Sequence, residues 1–384
     1  MTPRSRRPVR QRKPRGRSLV GQRYDVVVGA VAHGGHCVAR VPVDPSLVEE
    51  AGHGRHETRV VFVRHALPGE RVTVEITEGT EGDRFWRGDA VAVLEPSPDR
   101  VTAPCPFAGP GLCGGCDFQH VALPAQRRLK ADVVREQLRR LAGLDVDVEV
   151  EAVPGDDEGL RWRTRQRYVS LPGGARGMRK HHSHEVIEVD ECLLEAPTGP
   201  VTAVHDVQFD VADGGFWQVH PGAATALVDA VLEALAPQPG ESALDLYAGV
   251  GLFSRFLRDA VGPDARVVAV EGHAGAVRLA RRNVPGVVTS AGDVGDVLRT
   301  QYDEPFDLVV LDPPRAGAKR AVVEQVVDRR PRAVAYVACD PAALARDVAI
   351  FAEHGYRLTG LRAFDLFPMT HHVECVARLE PGHA

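Results

Sequence analysis

The sequence predicts an α/β protein. It reads as a doubly wound, mainly parallel sheet in the C-terminal half, preceded by a small all-β barrel and a cysteine-bearing α+β segment. Three observations carry this. From about residue 214 onward, apolar strand segments alternate with helical ones, the pattern of a parallel sheet joined by crossover helices. Residues 18–95 instead hold short runs of alternating apolar character separated by Gly and Pro. Between the two, three cysteines cluster at Cys105, Cys113 and Cys116.

Residues 1–17 are rich in Arg and Pro with almost no apolar content, and are expected to form a disordered basic arm. No acidic residue occurs from Met1 to Arg23, although the whole chain carries a net charge of -5. Such an arm is either an electrostatic footprint for phosphate or a solubilising tail, and composition does not choose between them. The barrel is expected over 18–96, on the runs Tyr24–Val28, Val60–Val63, Arg71–Ile76 and Asp89–Leu94, with 42–58 as a polar loop. A central domain follows over 97–205. It begins with a linker, Pro96–Pro104, and holds a helix from Gln126 to Leu141, because Leu129, Val133, Val134, Leu138 and Leu141 recur at helical spacing. The last domain is expected over 206–384.

A chain of 384 residues, 44% hydrophobic and 26% charged, has the composition of a soluble protein of two or three domains. No apolar run reaches membrane-span length, and no apolar stretch follows the basic N-terminus as a signal peptide requires. A cytoplasmic location is expected. There, seven cysteines argue against a disulfide framework. Cys105, Cys113, Cys116 and Cys192 would supply four thiolates, enough for zinc or an iron–sulfur cluster, and spacing alone leaves both open.

In the C-terminal half, Ser242–Tyr247 reads as a buried strand, Ala248–Gly251 as a tight turn and Leu252 as a helix start. Gly249 and Gly251 let the backbone approach a ligand closely. The dinucleotide fingerprint needs a third glycine where Ser254 stands, so no pyrophosphate cradle is present. The next strand, Arg266–Val270, ends in Glu271, twenty residues after Gly251, where such sheets place a carboxylate on a ribose. Val287–Thr289 leads to Asp293, and Phe306–Leu311 ends in Asp312-Pro313-Pro314-Arg315. Acids at successive strand ends without a phosphate cradle suit adenosine carrying a methionine-like tail. A fifth strand, Ala333–Val337, delivers Cys339 to the same edge, just before a helix opened by Asp340-Pro341, whose dipole favours a thiolate. The final strand, His371–Leu379, has period two. Val373, Cys375, Ala377 and Leu379 share the core face, while His372, Glu374, Val376 and Arg378 share the other.

Four segments together resemble the motifs of the RNA uracil-C5 methyltransferases. They are Asp245-Leu246-Tyr247-Ala248-Gly249-Val250-Gly251, Asp312-Pro313-Pro314-Arg315-Ala316-Gly317, Tyr336-Val337-Ala338-Cys339-Asp340-Pro341, and Asp365 through Glu374. Phe216-Trp217-Gln218-Val219 resembles that family's glutamine motif at the entry to the catalytic domain, and the barrel resembles its RNA-binding TRAM domain. The resemblance covers nearly the whole chain after the basic arm. It implies a Rossmann-like class I methyltransferase domain, a TRAM barrel of OB-like type and a central iron–sulfur domain, acting as a monomer on structured ribosomal or transfer RNA. It implies S-adenosylmethionine as methyl donor, Cys339 as nucleophile and Glu374 as general base. It sets Gln218, Tyr247, Glu271 and Asp312 at the cofactor, with Gln218 and Asp312 close to the target base; Gly249, Gly251 and Asp293 join that cofactor set from the strand-end reading. Cys113-Gly114-Gly115-Cys116-Asp117-Phe118-Gln119-His120 resembles the family's 4Fe–4S segment, although seven residues separate Cys105 from Cys113 where five are common. Two further departures are Leu252 and Asp340, where the family often has Asn. The competing expectations are an amino-group methyltransferase, which shares Asp-Pro-Pro but usually follows it with an aromatic residue, and a non-catalytic RNA-binding iron–sulfur protein.

Overall fold

The computed structural model describes residues 16–42 and 58–382. Nearly all of the basic arm and of the expected 42–58 loop lie outside the described residues.

The chain divides into two compact units, Met1–Arg100 and Val101–Ala384, where the sequence suggests three folded domains. In the first unit, strands β1 (Arg23–Val27), β2 (Cys37–Pro42), β3 (Thr58–Arg64), β4 (Arg71–Glu78) and β5 (Phe85–Glu95) form one sheet in the order β1-β4-β5-β3-β2. Its outer strands β1 and β2 lie against one another, closing a small barrel. Period-two burial explains the register: Val72, Val74 and Ile76 of β4 point inward, as do Val61 and Val63 of β3. β2 has no counterpart among the expected strands, because Val38 breaks the alternation set by the buried Cys37, Ala39 and Val41. The unit's C-terminal end is fastened by fully buried Glu70. Burial would raise its carboxyl, but hydrogen bonds from Arg100, Ser97 N and Leu67 N outweigh that and hold it below its ordinary value.

The second unit is built on an eight-stranded sheet. Its strands are β12 (Ala243–Leu246), β13 (Val267–Glu271), β14 (Val288–Ala291), β15 (Leu308–Leu311), β16 (Ala333–Ala338), β17 (Tyr356–Asp365) and β18 (Glu374–Pro381), with β6 (Val150–Ala152) at one edge. The order is β14-β13-β12-β15-β16-β18-β17-β6, and β18 alone runs antiparallel to its neighbours. Strand order reverses between β12 and β15, so the ligand crevice lies at their carboxyl ends. β12, β15 and β16 are buried at every residue, as strands covered on both faces must be. β17 was not legible as a strand, since Arg357, Gly360 and Arg362 interrupt its apolar pattern and a register shift falls between Leu358 and Gly360.

Two features explain why 101–205 is not separate. Helix α1 (Leu123–Ala142) places Ala131, Val134 and Leu138 in the core that also holds β15, β16 and β18. β6 pairs in parallel with the end of β17, reinforced by Arg362, which bonds Glu151. The rest of the segment is short strands: β7 (Val169–Ser170), β8 (Arg176–Arg179) and β9 (Val186–Glu188) form a small sheet, and β10 (Ala203–Val204) pairs with β11 (Val207–Gln208). The remaining helices are α2 (Ala223–Leu235), α3 (Leu252–Val261), α4 (Ala274–Asn283), α5 (Val294–Gln301), α6 (Lys319–Asp328) and α7 (Pro341–Glu353). Among the described residues, no helix is long and apolar enough to cross a membrane.

Candidate active site

The crevice begins where β12 ends. Tyr247 follows at φ 64°, a left-handed conformation that is unusual for an aromatic residue and common at ligand-binding sites. Gly251, at φ 92°, opens α3; a Cβ there would come within 2.7 Å of Val284 Cγ2, so conformation and packing both require glycine. Asp245, wholly buried, accepts from Ser254 N at 2.8 Å and Ser254 Oγ at 2.5 Å, which ties the strand to the first turn of α3. Its Oδ1 has no hydrogen-bond partner. Glu271, at the end of β13, accepts from Gly249 N at 3.0 Å and from His273 N at 2.7 Å. Asp293 caps α5 through Asp296 N and raises the Tyr247 hydroxyl, after burial, to about 12.

Three of these acids feel one another. Burial and repulsion from Asp245 and Glu271 push Asp312 up to about 7, and burial pushes Asp245 to about 7 with Glu271 adding to the shift. A glycine turn with an orphaned buried carboxylate oxygen and mutually repelling acids fits a ligand that brings hydroxyl donors and positive charge. The loop after Asp312 is held from behind by buried Asp347, which accepts from Ala318 N, Lys319 N and the Tyr336 hydroxyl.

Sheet topology brings Cys339 and Glu374 together. Ala338, the last residue of β16, is the register partner of Cys375 on antiparallel β18. Cys339 and Glu374 are therefore next in line on adjacent strands at the same edge. A parallel strand at β18's place would have put residue 374 at the opposite edge. Glu374 is 5% exposed, so it is no surface acid. Burial, then Asp312, hold its carboxyl well above the ordinary carboxylate range, with Arg315 opposing. The final strand starts at Glu374 rather than His371, and both its faces are covered: Cys375, Ala377 and Leu379 join one core and Val376 the other.

The pull of the helix dipole on Cys339 is opposed by the groups around it. Asp340 is the cap of α7, accepting from Ala343 N at 2.8 Å, and Cys339 lies one residue before it. Burial, Glu374, Asp312 and Asp340 push its thiol up to about 12, against Arg315. A helix dipole is worth at most about 2 kcal/mol at a partly buried site, roughly one and a half pKa units, against an upward shift of about three.

Gln218 stands between two anchored neighbours. Trp217 is buried and donates to Val201 O at 2.7 Å, and Val219 packs with Met369 and Phe367, its carbonyl accepting from Thr164 N. The cysteines Cys105, Cys113, Cys116 and Cys192 all line one cavity, with Arg163, Gln119 and Met178. The long Cys105–Cys113 gap is taken up by turns closed by Ala108 N to Cys105 O and Cys113 N to Phe107 O. All seven cysteines are free. Gly115 N and Gln119 Nε2 each approach a sulfur, of Cys113 and Cys116, at 3.4 Å. Among the described residues, no group of three or more Cys, His, Asp or Glu is arranged to hold a metal ion; the four thiols instead surround a space.

One feature absent from the sequence expectations is the run from Arg161 to His184, with seven Arg or Lys, three His and no Asp or Glu. It borders Gln218: Thr164 N bonds Val219 O, and Arg165 bonds Gly215 O at 2.9 Å. Regional charge counting would have found it; the acidic stretch that follows hides it in any whole-chain total.

Comparison with known proteins agrees with this architecture. Family models match as "TRAM domain" over residues 17–91, "Methyltransferase small domain" over 212–335 and "tRNA (Uracil-5-)-methyltransferase" over 294–381. An uncharacterized RNA methyltransferase of Streptomyces coelicolor is 44% identical, the match covering 95% of this chain and 94% of that one. The 23S rRNA (uracil(1939)-C(5))-methyltransferase RlmD of Shewanella sp. (strain MR-4) is 30% identical, covering 86% and 93% respectively. Among solved structures, the tRNA (uracil-54, C5)-methyltransferase of Pyrococcus abyssi, in complex with S-adenosyl-L-homocysteine, shares the fold with a TM-score of 0.61 at 22% identity, over 83% of this chain and 94% of that one. With a TRAM barrel, a class I methyltransferase sheet and a relative of this identity and coverage, the chain belongs to the RNA uracil-C5 methyltransferase family.

Proposed function

We propose that the chain methylates carbon 5 of a uridine in structured RNA, with Cys339 as nucleophile and Glu374 as general base. The observation that carries this is the pairing of Cys339 and Glu374 across β16 and β18, with Asp312 beside them. Carbon 5 of uracil is a weak nucleophile. The Cys339 thiol gives up its proton to solvent, and addition of the resulting thiolate to carbon 6 forms an S–C6 bond and moves the C5–C6 π pair into an enolate, which activates carbon 5. S-adenosylmethionine, when bound, supplies the electrophilic methyl group that carbon 5 takes. Glu374 then removes the carbon-5 proton, the S–C6 bond breaks, and the double bond re-forms. High basicity suits that step, and burial of Glu374 provides it. Gln218, Tyr247, Gly249, Gly251, Glu271, Asp293 and Asp312 would hold the donor, with Gln218 and Asp312 facing the base. The reading places the enzyme in the cytoplasm, acting as a monomer.

The basic run near Gln218 supports RNA contact by unit two, in addition to the TRAM barrel and the 1–17 arm. The four-thiol cavity supports a 4Fe–4S cluster: four free thiols around one space, two with amide donors at sulfur, suit a cubane better than collapsed single-ion geometry. Anaerobically purified protein should hold about four iron and four acid-labile sulfide per chain; stoichiometric zinc without iron would refute the cluster.

Denaturing electrophoresis tests the mechanism. Glu374→Gln should add the thiol, take the methyl and stall, leaving a protein–RNA adduct that survives the gel. Adding Cys339→Ala should abolish it. A Glu374→Gln enzyme that turns over normally would show that Glu374 is not the base; one inactive without adduct would show a residue needed before the final step. The amino-group alternative fits less well, since Arg315 stands where an aromatic is usual and the half-buried Cys339 beside the buried Glu374 would have no task.

A further inference from the structure

The loop Leu366–Val373, which leads into Glu374, receives a series of hydrogen bonds from one short stretch of chain, residues 117–130. Lys130, 1% exposed, bonds Asp365 Oδ1 at 2.5 Å and Phe367 O at 3.0 Å. Gln126 accepts from Met369 N at 2.8 Å, while its Nε2 donates to Phe118 O and Val121 O. Met369 O accepts from both Asp117 N and Phe118 N, at 2.9 and 3.0 Å. Met369 itself sits at φ 65°, a conformation that a long side chain adopts only when its surroundings impose it.

The last fastening is nearest the chemistry. Asp117 Oδ2 accepts from His371 N at 3.1 Å and meets His371 Nδ1 at 2.6 Å. The His371 ring lies 4.1 Å from that of His372, and His372 Nε2 is 3.3 Å from Arg315. Arg315 is the cation that opposes the upward shifts of both Cys339 and Glu374. A continuous line of contacts thus runs from Asp117 through two histidines to the charge beside both reacting side chains. Asp117 is the residue immediately after Cys116, so the line starts on the cysteine-bearing segment.

We propose that Asp117 is a positioning residue for catalysis: by holding His371, it sets the loop that aims Glu374. It touches neither RNA nor methyl donor in this role. The proposal rests on the reading of Glu374 as the base. A misaimed base slows only the last step, removal of the carbon-5 proton, so the covalent intermediate should accumulate. General loss of structure would instead lower all steps together.

The experiment uses the full-length protein and RNA from a strain lacking the gene, with Glu374→Gln as reference. Asp117→Ala should lower kcat by roughly tenfold or more, lower KM for RNA in step so that kcat/KM stays within about twofold, and raise the adduct fraction on a denaturing gel during turnover. Asp117→Asn, which keeps an acceptor for His371, should recover a good part of kcat and reduce the adduct. Where Asp117→Ala yields no folded protein, His371→Ala breaks the same contact from the loop side and carries the same expectations. Wild-type turnover in the alanine variant would overturn the proposal. So would slow turnover with no extra adduct and no recovery in Asp117→Asn, which marks a purely structural role. If Glu374→Gln traps adduct and Asp117→Ala does not, only the positioning role falls. If Glu374→Gln itself traps none, the assignment of the base falls and takes this proposal with it.

Discussion

Two regions of the second unit meet at the site and are built by different physics. The carboxyl edge of the sheet, from Tyr247 through Glu271 and Asp312 to Cys339, is fixed by strands buried at nearly every residue. The segment from Val101 to Gln218 has only short strands, with α1 its one long element, and is held by side-chain hydrogen bonds and by the contacts of its cysteines. The edge supplies reacting groups on rigid supports. The segment supplies cations, a thiol-lined cavity and fastenings for the loop that carries the base. Division of labour of this kind predicts that substitutions on the edge reduce the rate of chemistry, while those on the surface of the segment reduce hold on RNA.

The largest effect that separates them is expected at Asp312. Asp312→Asn keeps size and burial but removes the charge next to Cys339 and Glu374. It should lower kcat by about a hundredfold, the scale of losing one preorganised polar group from an enclosed site, with RNA affinity nearly unchanged. Equilibrium RNA binding and single-turnover rates measure the two quantities separately. A variant that lost RNA affinity and kept its rate would place the edge in recognition and dissolve the contrast.

A smaller effect, of the opposite kind, is expected in the segment. Arg167 is exposed, Arg179 is exposed and donates to the His184 carbonyl at 3.3 Å, and Lys180 pairs with Glu185 at 2.7 Å on the surface. Replacing all three by Gln should weaken RNA binding by roughly ten- to thirtyfold at moderate salt and flatten the salt dependence by about two, since each lost phosphate contact removes about 0.7–0.9 from the slope. The single-turnover rate at saturating RNA should hold. An unchanged slope would mean that this run faces away from RNA and serves its own acidic neighbours, as Arg161 does with Glu191 at 3.0 Å.

The same contrast governs what could be read in the sequence. Edge residues were legible because a strand end followed by Gly, Asp or Cys is a local signal: Gly251, Glu271, Asp312 and Cys339 each close a run of apolar residues. Burial of Glu374 was not, because period two placed it opposite Cys375 and a half-covered strand would have left it in water. Only the antiparallel insertion of β18 between β16 and β17 buries both faces. The surroundings of Cys339 are only half legible for a related reason. Its helix is a neighbour in sequence, whereas Glu374 and Asp312, which outweigh that helix, arrive from other strands. In the segment, the bonds from Asp117 to His371 and from Lys130 to Asp365 span more than two hundred residues and leave no periodic trace.

The smallest effect concerns pH, and it tests whether the edge works as one electrostatic unit. Three groups there are shifted upward: Asp312 to about 7, Cys339 to about 12, and Glu374 well above the ordinary carboxylate range. For each, the raised value means that the protonated form persists to higher pH than in water. The proposed chemistry uses the deprotonated form of all three, a thiolate to add, a carboxylate to take the proton and a charged acceptor at the base. Raising pH therefore adds active enzyme throughout the accessible range, and no group on the edge must stay protonated. kcat/KM, which reports the free enzyme, should climb by roughly ten- to twentyfold between pH 7 and 8 and still be rising at 9. In Asp312→Asn the climb should persist from a lower baseline, because Cys339 remains protonated, but begin at lower pH, because one acid no longer repels Glu374 and the thiolate. A bell with its optimum below 7 would require an essential acid on the edge. The first candidate would be Glu374 itself, acting as a proton donor, and the adduct gel would then show loss of addition instead of a trapped intermediate.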